Sequence, residues 1–221
     1  MFRLWCLLTG YAFGMLHTAY FLGRAHGIDI RKYGSGNLGT TNVMRTLGKK
    51  WGILTFLGDF FKCAAAVLVS WAIFKGSHPD VVPLLTVYTG AGVILGHNFP
   101  CYLHFKGGKG IASSAGMYFM LSPVFCAIGF ALYFVVFALT GYVSLGSISI
   151  YLYIFFGTVI CGQNGILFHM TQPHLNEMYL IIGLLTAMAV WEHRGNISRL
   201  LQGTERRSSM FGHGGRKTKN S

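Results

Sequence analysis

Long apolar stretches, separated by short polar and glycine-rich ones, follow one another along most of the 221-residue chain. Several reach the length of about 20 residues that a helix needs to cross a hydrocarbon core. The pattern predicts an all-α, polytopic integral membrane bundle of about seven transmembrane helices, at 2–23, 51–74, 84–101, 108–121, 123–140, 145–162 and 176–191. Because Ser122-Pro123 would end or kink a helix, the main alternative merges the fourth and fifth crossings into one long bent helix.

The N-terminal stretch from Met1 to Gly23 has the position of a signal peptide. Its long apolar run and the lack of a clear cleavage site favour a retained first crossing. Composition agrees, since 52% of the residues are hydrophobic, 11% are charged and the mean hydropathy is +0.50. We therefore predict one integral membrane domain, residues 1–205, followed by a basic, disordered cytoplasmic tail, residues 206–221.

The distribution of charge predicts the orientation. A net charge of +12 would suggest a nucleic-acid partner in a soluble protein, but here Lys and Arg concentrate in loops and in the tail. With seven crossings and the N-terminus outside, the cation-rich loops share one side, whereas the loop 162–176 contains no Lys or Arg. The positive-inside rule therefore predicts a cytoplasmic C-terminus. Because the charge lies in the loops and tail of a membrane protein, we predict membrane lipids and no nucleic acid as partners. A bacterial inner membrane is the default location.

The first stretch with candidate chemistry is GSGNLGTTNVMR, residues 34–45. Three glycines, Gly34, Gly36 and Gly39, permit backbone conformations in which successive N–H groups form an anion-binding nest. Arg45 adds a planar guanidinium suited to phosphate oxygens. Neutral donors are interspersed, namely Ser35, Asn37, Thr40, Thr41 and Asn42. The alternative is an ordinary flexible loop between two helices.

The second stretch is FKGGKG, residues 105–110, in which Lys106 and Lys109 flank Gly107 and Gly108. Backbone N–H groups and two ammonium groups could meet one anion there, and a helix beginning near Gly110 would add its positive end. His97 precedes the break at Pro100, so its polar ring needs a partner. The alternative makes both lysines ordinary anchors at the lipid headgroups.

Two later stretches add candidates. Ser144 is the first polar group after a tight Thr140-Gly141 turn, although a serine in a membrane helix more often bonds its own backbone. In WEHRGNISRLL, His193 and Asn196 share a helical face, with Arg199 close to Asn196. The alternative for this segment is an amphipathic helix that lies on the membrane.

Asp59 and Lys62 stand three residues apart within an apolar helix, where charges are costly unless they are paired. We interpret them as a structural ion pair rather than as catalytic groups. The five cysteines are dispersed without a C-x-x-C pair, and the histidines lack metal-ligand spacing. The sequence therefore predicts neither a metal site nor a disulfide framework.

Taken together, the four stretches resemble the PlsY family of bacterial membrane acyltransferases, in family order from about Tyr33 to Glu205. The resemblance implies transfer of a fatty acyl group from acyl-phosphate to glycerol 3-phosphate, giving 1-acylglycerol 3-phosphate and inorganic phosphate, without a metal or an organic cofactor. We predict no obligate protein partner. It also implies a seven-helix fold with a cytoplasm-facing site lined by Ser35, Asn37, Asn42, Arg45, Lys106, Gly107, Gly108, Ser144, His193 and Asn196. Leu38, Thr40 and Ser113 depart from the family motif, which usually has proline, alanine and threonine there.

The chemistry implied by this resemblance needs two phosphates held close together, so cationic donors should lower their repulsion. No histidine has an acidic residue five positions on, which argues against the H-x-x-x-x-D mechanism of acyl-CoA-type acyltransferases. The hypothesis is that the phosphate of the donor accepts the hydroxyl proton, with Lys106, Ser144, His193 and Asn196 as the catalytic residues. The rival interpretation, an organic-phosphate transporter, would show an internal repeat, and we find none that is convincing.

Overall fold

The computed structural model describes residues 1–208, and all regular secondary structure within them is helical. The α-helices are α1 (Phe2–Gly14), α2 (Thr18–Ala25), α3 (Thr40–Leu47), α4 (Lys49–Phe74), α5 (Val82–Asn98), α6 (Ile111–Leu121), α7 (Pro123–Thr140), α8 (Val143–Gln163), α9 (Gln172–Glu192) and α10 (Arg194–Leu201). Three single 3-10 turns stand between them, at Ile30–Lys32, Pro79–Val81 and Cys101–Leu103. The predicted all-α class is confirmed.

Five helical segments within the described residues are long and apolar enough to cross a membrane. They contain α4, α5, α7, α8 and α9, while α6 is a shorter apolar helix of 11 residues. Large apolar side chains such as Leu139 and Val124 are exposed on the outer face of α7, as expected of a helix that meets lipid. The count of seven crossings and the orientation of the termini stay predictions.

The first predicted crossing is not one helix. The sequence predicted a single helix over 2–23, whereas α1 ends at Gly14 and α2 begins at Thr18. The carbonyl oxygens of Gly14 and Leu16, freed at this break, accept hydrogen bonds from the Lys62 ammonium on α4. The prediction of one continuous helix was wrong, and a partner distant in sequence satisfies the backbone groups that a continuous helix would have used.

A close glycine contact joins α1 to α5. Gly10 and Gly14 on α1 face Gly92 and Gly96 on α5, each pair spaced by four residues. A Cβ added at Gly10 would lie 2.0 Å from the carbonyl oxygen of Thr89. Small residues at this spacing let two membrane helices approach backbone to backbone. The contact fixes the position of α5 against α1, and the last residues of α5 contact the second candidate stretch.

The boundary between α6 and α7 follows the main prediction and excludes the merged alternative. Ser122 has extended backbone angles, and its hydroxyl accepts a hydrogen bond from the N–H of Phe125 at 3.3 Å. Pro123 occupies the first turn of α7, where its missing N–H is not needed. The chain therefore stops one helix and starts another, rather than bending a single one.

Two apolar clusters lie beneath the candidate stretches. The larger one fills the space between the long helices, and the smaller one consists of Ala19, Ile30, Leu38, Val43 and Leu103. The smaller cluster anchors the first stretch, since Leu38 lies within that stretch and is almost fully buried.

The start of the predicted disordered tail contacts the protein, because the N–H of Ser208 donates to the Gly141 carbonyl at 2.9 Å. Residues 209–221 lie outside the described residues.

Candidate active site

Asn42, in the first turn of α3, organises the first stretch. Its Oδ1 accepts a hydrogen bond from the N–H of Ser35 at 2.7 Å, and its Nδ2 donates to the carbonyls of Tyr33 at 3.0 Å and Ile30 at 3.3 Å. The residue is 1% exposed. The Asn42 amide is thus engaged with the backbone of its own loop, and its contribution to the site is the shape of that loop.

The glycines of this loop are required by its geometry. Gly34 and Gly36 have φ of 61° and 72°, in the left-handed region that favours glycine. A Cβ at Gly34 would also lie 2.2 Å from Asn42 Oδ1. Ser35 between them is exposed, and Asn37 beyond them is half-buried. The side chain of Asn42 therefore holds the turns of the loop from the protein side, while Ser35 is exposed on the other side.

The two ends of α3 reach different parts of the site. Gly39 is the N-cap of α3, and Thr41 lies half-buried in its first turn. At the other end, Nη2 of Arg45 donates to the hydroxyl of Ser208 at 3.3 Å. Burial lowers the pKa of Arg45, with a contribution from the nearby Arg206 guanidinium. Arg45 therefore lies against the C-terminal segment and close to another cation, Arg206. Such a concentration of positive charge suits an anionic ligand.

The second stretch folds back over the end of α5. The N–H of Gly107 donates to the Asn98 carbonyl, and that of Gly108 to the His97 carbonyl, both at 3.0 Å. The sequence suggested that these N–H groups face an anion, but in the structure both face the protein. A Cβ at Gly107 would lie 2.0 Å from the His97 oxygen, so this close approach requires glycine. The side-chain anion donors of the stretch are Lys106 and Lys109.

The first and second stretches meet at one point. A Cβ added at Gly108 would lie 2.7 Å from the carbonyl oxygen of Leu38 and 2.1 Å from Nε2 of His97. Leu38 and His97 are both buried. Gly108 is therefore enclosed between the first stretch and the imidazole of His97, and His97 lies beneath the loop rather than on the open side of it.

Lys109 connects the second stretch to the fourth. Its ammonium donates a hydrogen bond to Oδ1 of Asn196 on α10. Burial lowers the pKa of Lys109 to about 8, although the carboxylate of Glu192 acts in the opposite direction. Lys106, three residues earlier, is exposed, and its side chain makes no hydrogen bond or ion pair within residues 1–208. Lys106 is therefore free to meet a ligand that approaches from the open side.

Glu205, for which the sequence predicted no role, is the centre of a polar cluster. Its Oε1 accepts hydrogen bonds from Ser144 Oγ at 2.9 Å and Asn196 Nδ2 at 2.7 Å, and its Oε2 accepts one from Arg199 Nε at 2.7 Å. Burial alone would raise the pKa of Glu205, but these three hydrogen bonds lower it. We call Ser144, Asn196, Arg199, Glu205 and Lys109 the Glu205 cluster.

His193 lies next to this cluster, at the turn between α9 and α10, and is 3% exposed. Its Nδ1 is 2.7 Å from the Ala189 carbonyl oxygen, a partner that requires a proton on Nδ1. Burial, and next the charge of Lys109, lower the pKa of His193 to about 4. The ring is therefore neutral near pH 7, and Nε2 carries the lone pair that can accept a hydrogen bond from a hydroxyl group.

The structure thus brings together residues that the sequence separates widely. Lys109, Ser144, Asn196 and Arg199 meet around Glu205, with His193 beside them. Arg45 reaches the same C-terminal segment, and the first and second stretches touch at Gly108. The only sequence signal for Glu205 is a carboxylate among cations, since the whole chain has six acidic residues. Such an arrangement of cations and neutral donors can bind phosphate groups.

Comparisons with known proteins agree on one family. The family profile described as "Glycerol-3-phosphate acyltransferase" matches residues 4–203. The glycerol-3-phosphate acyltransferase of Clostridioides difficile is 42% identical over 203 residues, which are 90% of this chain and 92% of that protein. The one from Rubrobacter xylanophilus is 36% identical over 215 residues, which are 97% of this chain and all 100% of that protein.

Solved structures give the same result. The crystal structure of PlsY (YgiH), an integral membrane glycerol 3-phosphate acyltransferase, in its glycerol 3-phosphate form matches with a TM-score of 0.79 and 33% identity. That match covers 94% of this chain and 96% of the other. Its lysophosphatidic acid form matches with a TM-score of 0.77 and 32% identity, over 94% and 95% of the two chains. The predicted integral membrane helical fold and the predicted family are confirmed.

Proposed function

The chain belongs to the glycerol-3-phosphate acyltransferase family, and from that premise we propose that its acyl donor is acyl-phosphate and its product 1-acyl-sn-glycerol 3-phosphate. Inorganic phosphate is the second product. The observation that carries the proposal is the Glu205 cluster. Together with Arg45 and Lys106, it offers several hydrogen-bond donors and positive charges that can bind phosphate groups. Membership of the family also removes the transporter alternative.

The electrostatics of the site favour two anions. Glu205 accepts a hydrogen bond from Nε of Arg199, which leaves the two Nη groups of that guanidinium for a ligand. Lys109 uses one of its three N–H groups on Asn196. The cations therefore outnumber the carboxylate at the cluster, so a phosphorylated acceptor and a phosphorylated donor can lie side by side.

The reaction then follows from the positions of the neutral groups. The 1-hydroxyl oxygen of glycerol 3-phosphate attacks the acyl carbon, and the bond between that carbon and the phosphate oxygen breaks. The hydroxyl proton leaves on the released phosphate, so atoms and charge balance. His193 Nε2 orients the hydroxyl, and a pKa of about 4 makes it a weak base. Lys106 stabilises the negative charge that develops on the acyl oxygen.

The other proposed residues bind and orient the substrates. Ser144 and Asn196 hold their positions through Glu205. The residues proposed to form the binding site at the two glycine-rich stretches and on α10 are Ser35, Gly36, Asn37, Gly39, Thr41, Asn42, Arg45, His97, Gly107, Gly108, Lys109 and Arg199. Among them, Asn42, His97, Gly107 and Gly108 contribute through the shape of the loops. The proposed site lies on the cytoplasmic side of a bacterial inner membrane, in keeping with the positive charge of its loops.

The experiment that tests the donor uses the purified protein in detergent with glycerol 3-phosphate and one donor at a time. Acyl-phosphate, acyl-CoA and acyl carrier protein carrying the same chain are compared, and both lysophosphatidic acid and phosphate are measured. We expect turnover with acyl-phosphate and stoichiometric release of phosphate. Turnover with either thioester alone would overturn the proposed donor while leaving the family intact.

A further inference from the structure

Lys62 lies at the centre of a buried cluster that the reaction chemistry does not use. Its Nζ is 2.9 Å from Asp59 Oδ1, 3.1 Å from the Gly14 carbonyl oxygen, 2.9 Å from that of Leu16 and 2.9 Å from Nδ1 of His97. An ammonium group has three N–H donors, so these four acceptors occupy all of them. The side chain is 6% exposed. Lys62 therefore has no donor left for a substrate.

Three of the four acceptors of Lys62 belong to elements other than α4. The sequence interpretation as a structural ion pair needs only Asp59, one turn away on the same helix. The contacts with Gly14 and Leu16 fix the break between α1 and α2, and the contact with His97 fixes the orientation of an imidazole at the end of α5. The ring of His17 stacks on that imidazole, with 4.4 Å between the ring centroids.

His97 connects this cluster to the second stretch in two ways. Its carbonyl oxygen accepts the N–H of Gly108 at 3.0 Å, and its Nε2 lies so close that a Cβ at Gly108 would be 2.1 Å away. Gly108 also touches the Leu38 carbonyl of the first stretch. The next residue is Lys109, whose ammonium reaches Asn196 in the Glu205 cluster.

We propose that Lys62 is a positioning residue for the substrate site. It holds the His97 imidazole against the Gly107-Gly108 turn. That turn then keeps the Lys109 ammonium within hydrogen-bond distance of Asn196. A shift of about 1 Å at such a support is enough to weaken binding or rate substantially. The inference rests on the proposed location of the site, and it adds a buried support that acts without touching the substrate.

The test replaces the ion pair as a unit. Asp59→Asn with Lys62→Met leaves no unpaired buried charge and keeps the side-chain volumes similar. Two quantities are measured on the purified, monodisperse fraction: the Kd of glycerol 3-phosphate by calorimetry without any donor, and the KM of each substrate in turnover. We expect about a tenfold loss of affinity for one substrate, equivalent to 1.4 kcal/mol, and less than a twofold change for the other.

The matched control is Ser70→Ala. Ser70 is also buried on α4 and also contacts α5, through a hydrogen bond of 2.8 Å with Thr89, but it lies near the far end of the helix. We expect unchanged Kd and KM for both substrates in this variant. If the double variant loses rate only in proportion to lost folded protein, with both KM values unchanged, Lys62 is structural and the inference is wrong.

A second variant guards against failure to fold. His97→Gln keeps the ion pair and an oxygen that can accept from Lys62, but removes the ring that contacts Gly108. The same selective loss of affinity is expected, and unchanged affinities for both substrates would contradict the inference. The calorimetric measurement needs no donor, so a wild-type protein inactive with acyl-phosphate would refute the proposed donor and still allow this test.

Discussion

Asp59 and Glu205 each gather cationic and neutral donors, one between the long helices and the other where the loops meet. The Asp59 side chain is 2% exposed and its partner Lys62 6%, whereas Glu205 is 8% exposed and its partner Arg199 47%. Both carboxylates are therefore shielded, and the difference lies in their cations. At the inner cluster every donor of the cation has a protein acceptor, while at the outer cluster the Nη groups of Arg199 are open.

This difference separates two uses of charge in a membrane protein. A buried charge whose donors are all satisfied can hold elements in place but has nothing left to offer a ligand. A cation that is held by one bond and exposed elsewhere is oriented and still available. Lys62 is of the first kind, and Arg199 and Lys109 are of the second.

The largest effect is expected at the inner cluster when only one partner is removed. Lys62→Met leaves the Asp59 carboxylate buried without its counter-charge, which costs about 3–5 kcal/mol in comparable cases. Glu205→Gln replaces one of two acceptor oxygens with an NH2 group but leaves no buried carboxylate unpaired, so a smaller loss of about 1–2 kcal/mol is expected. Thermal unfolding in the same detergent measures both. Equal losses at the two sites would show that the outer cluster is as closed as the inner one.

The second effect concerns ligand affinity at the outer cluster. Arg199→Ala removes an exposed guanidinium with open donors, and a hydrogen bond to a charged group contributes about 1.5–3 kcal/mol. We expect a fall in kcat/KM of about 10- to 100-fold with little change in unfolding temperature. Arg194→Ala is the matched control, since Arg194 is on the same helix but donates to the Trp191 carbonyl and contacts that indole ring. Equal losses in both variants would indicate a nonspecific effect of positive charge.

Much of the fold follows from the sequence because lipid imposes a simple length rule. The apolar stretches gave α4, α7, α8 and α9 with bounds close to the observed ones. The break after Gly14 was missed because no proline or polar run marks it. The carbonyl oxygens at the break are satisfied by Lys62, 46 residues beyond Leu16 in the chain, and no local pattern shows such a contact.

At the site, residue types were easier to predict than their partners. The cations and neutral donors stand out in an apolar chain, and motif resemblance named most of them. That the N–H groups of Gly107 and Gly108 face carbonyls depends on how the loop folds back over α5, which is tertiary information. Glu205 was missed because two of its three donors, Asn196 and Arg199, precede it on a short helix and the third comes from α8.

The third effect is a pH dependence that distinguishes the two clusters. Burial lowers the pKa of Lys109 to about 8, so its ammonium loses its proton as the pH rises through that value. We expect the KM of glycerol 3-phosphate to rise by about twofold between pH 7 and 8, and to approach a tenfold rise per pH unit above about pH 9. His193, with a pKa of about 4, stays neutral over this range and adds no further change. In Lys109→Met, KM should be high and independent of pH, and a retained rise would assign the titration to another group.

The smallest effect separates a serine that serves the cluster from one that serves its own helix. Ser144 donates to Glu205 at 2.9 Å, whereas Ser149, also on α8, donates to the Leu145 carbonyl of the preceding turn at 2.9 Å. Ser144→Ala loses one hydrogen bond of about 1 kcal/mol, so we expect about a fivefold fall in kcat/KM, and Ser149→Ala should retain wild-type kinetics. Because both changes remove a hydroxyl from one helix, a shared loss would trace to α8 itself. A loss confined to Ser144→Ala would show that Glu205 transmits the position of its donors to the reaction.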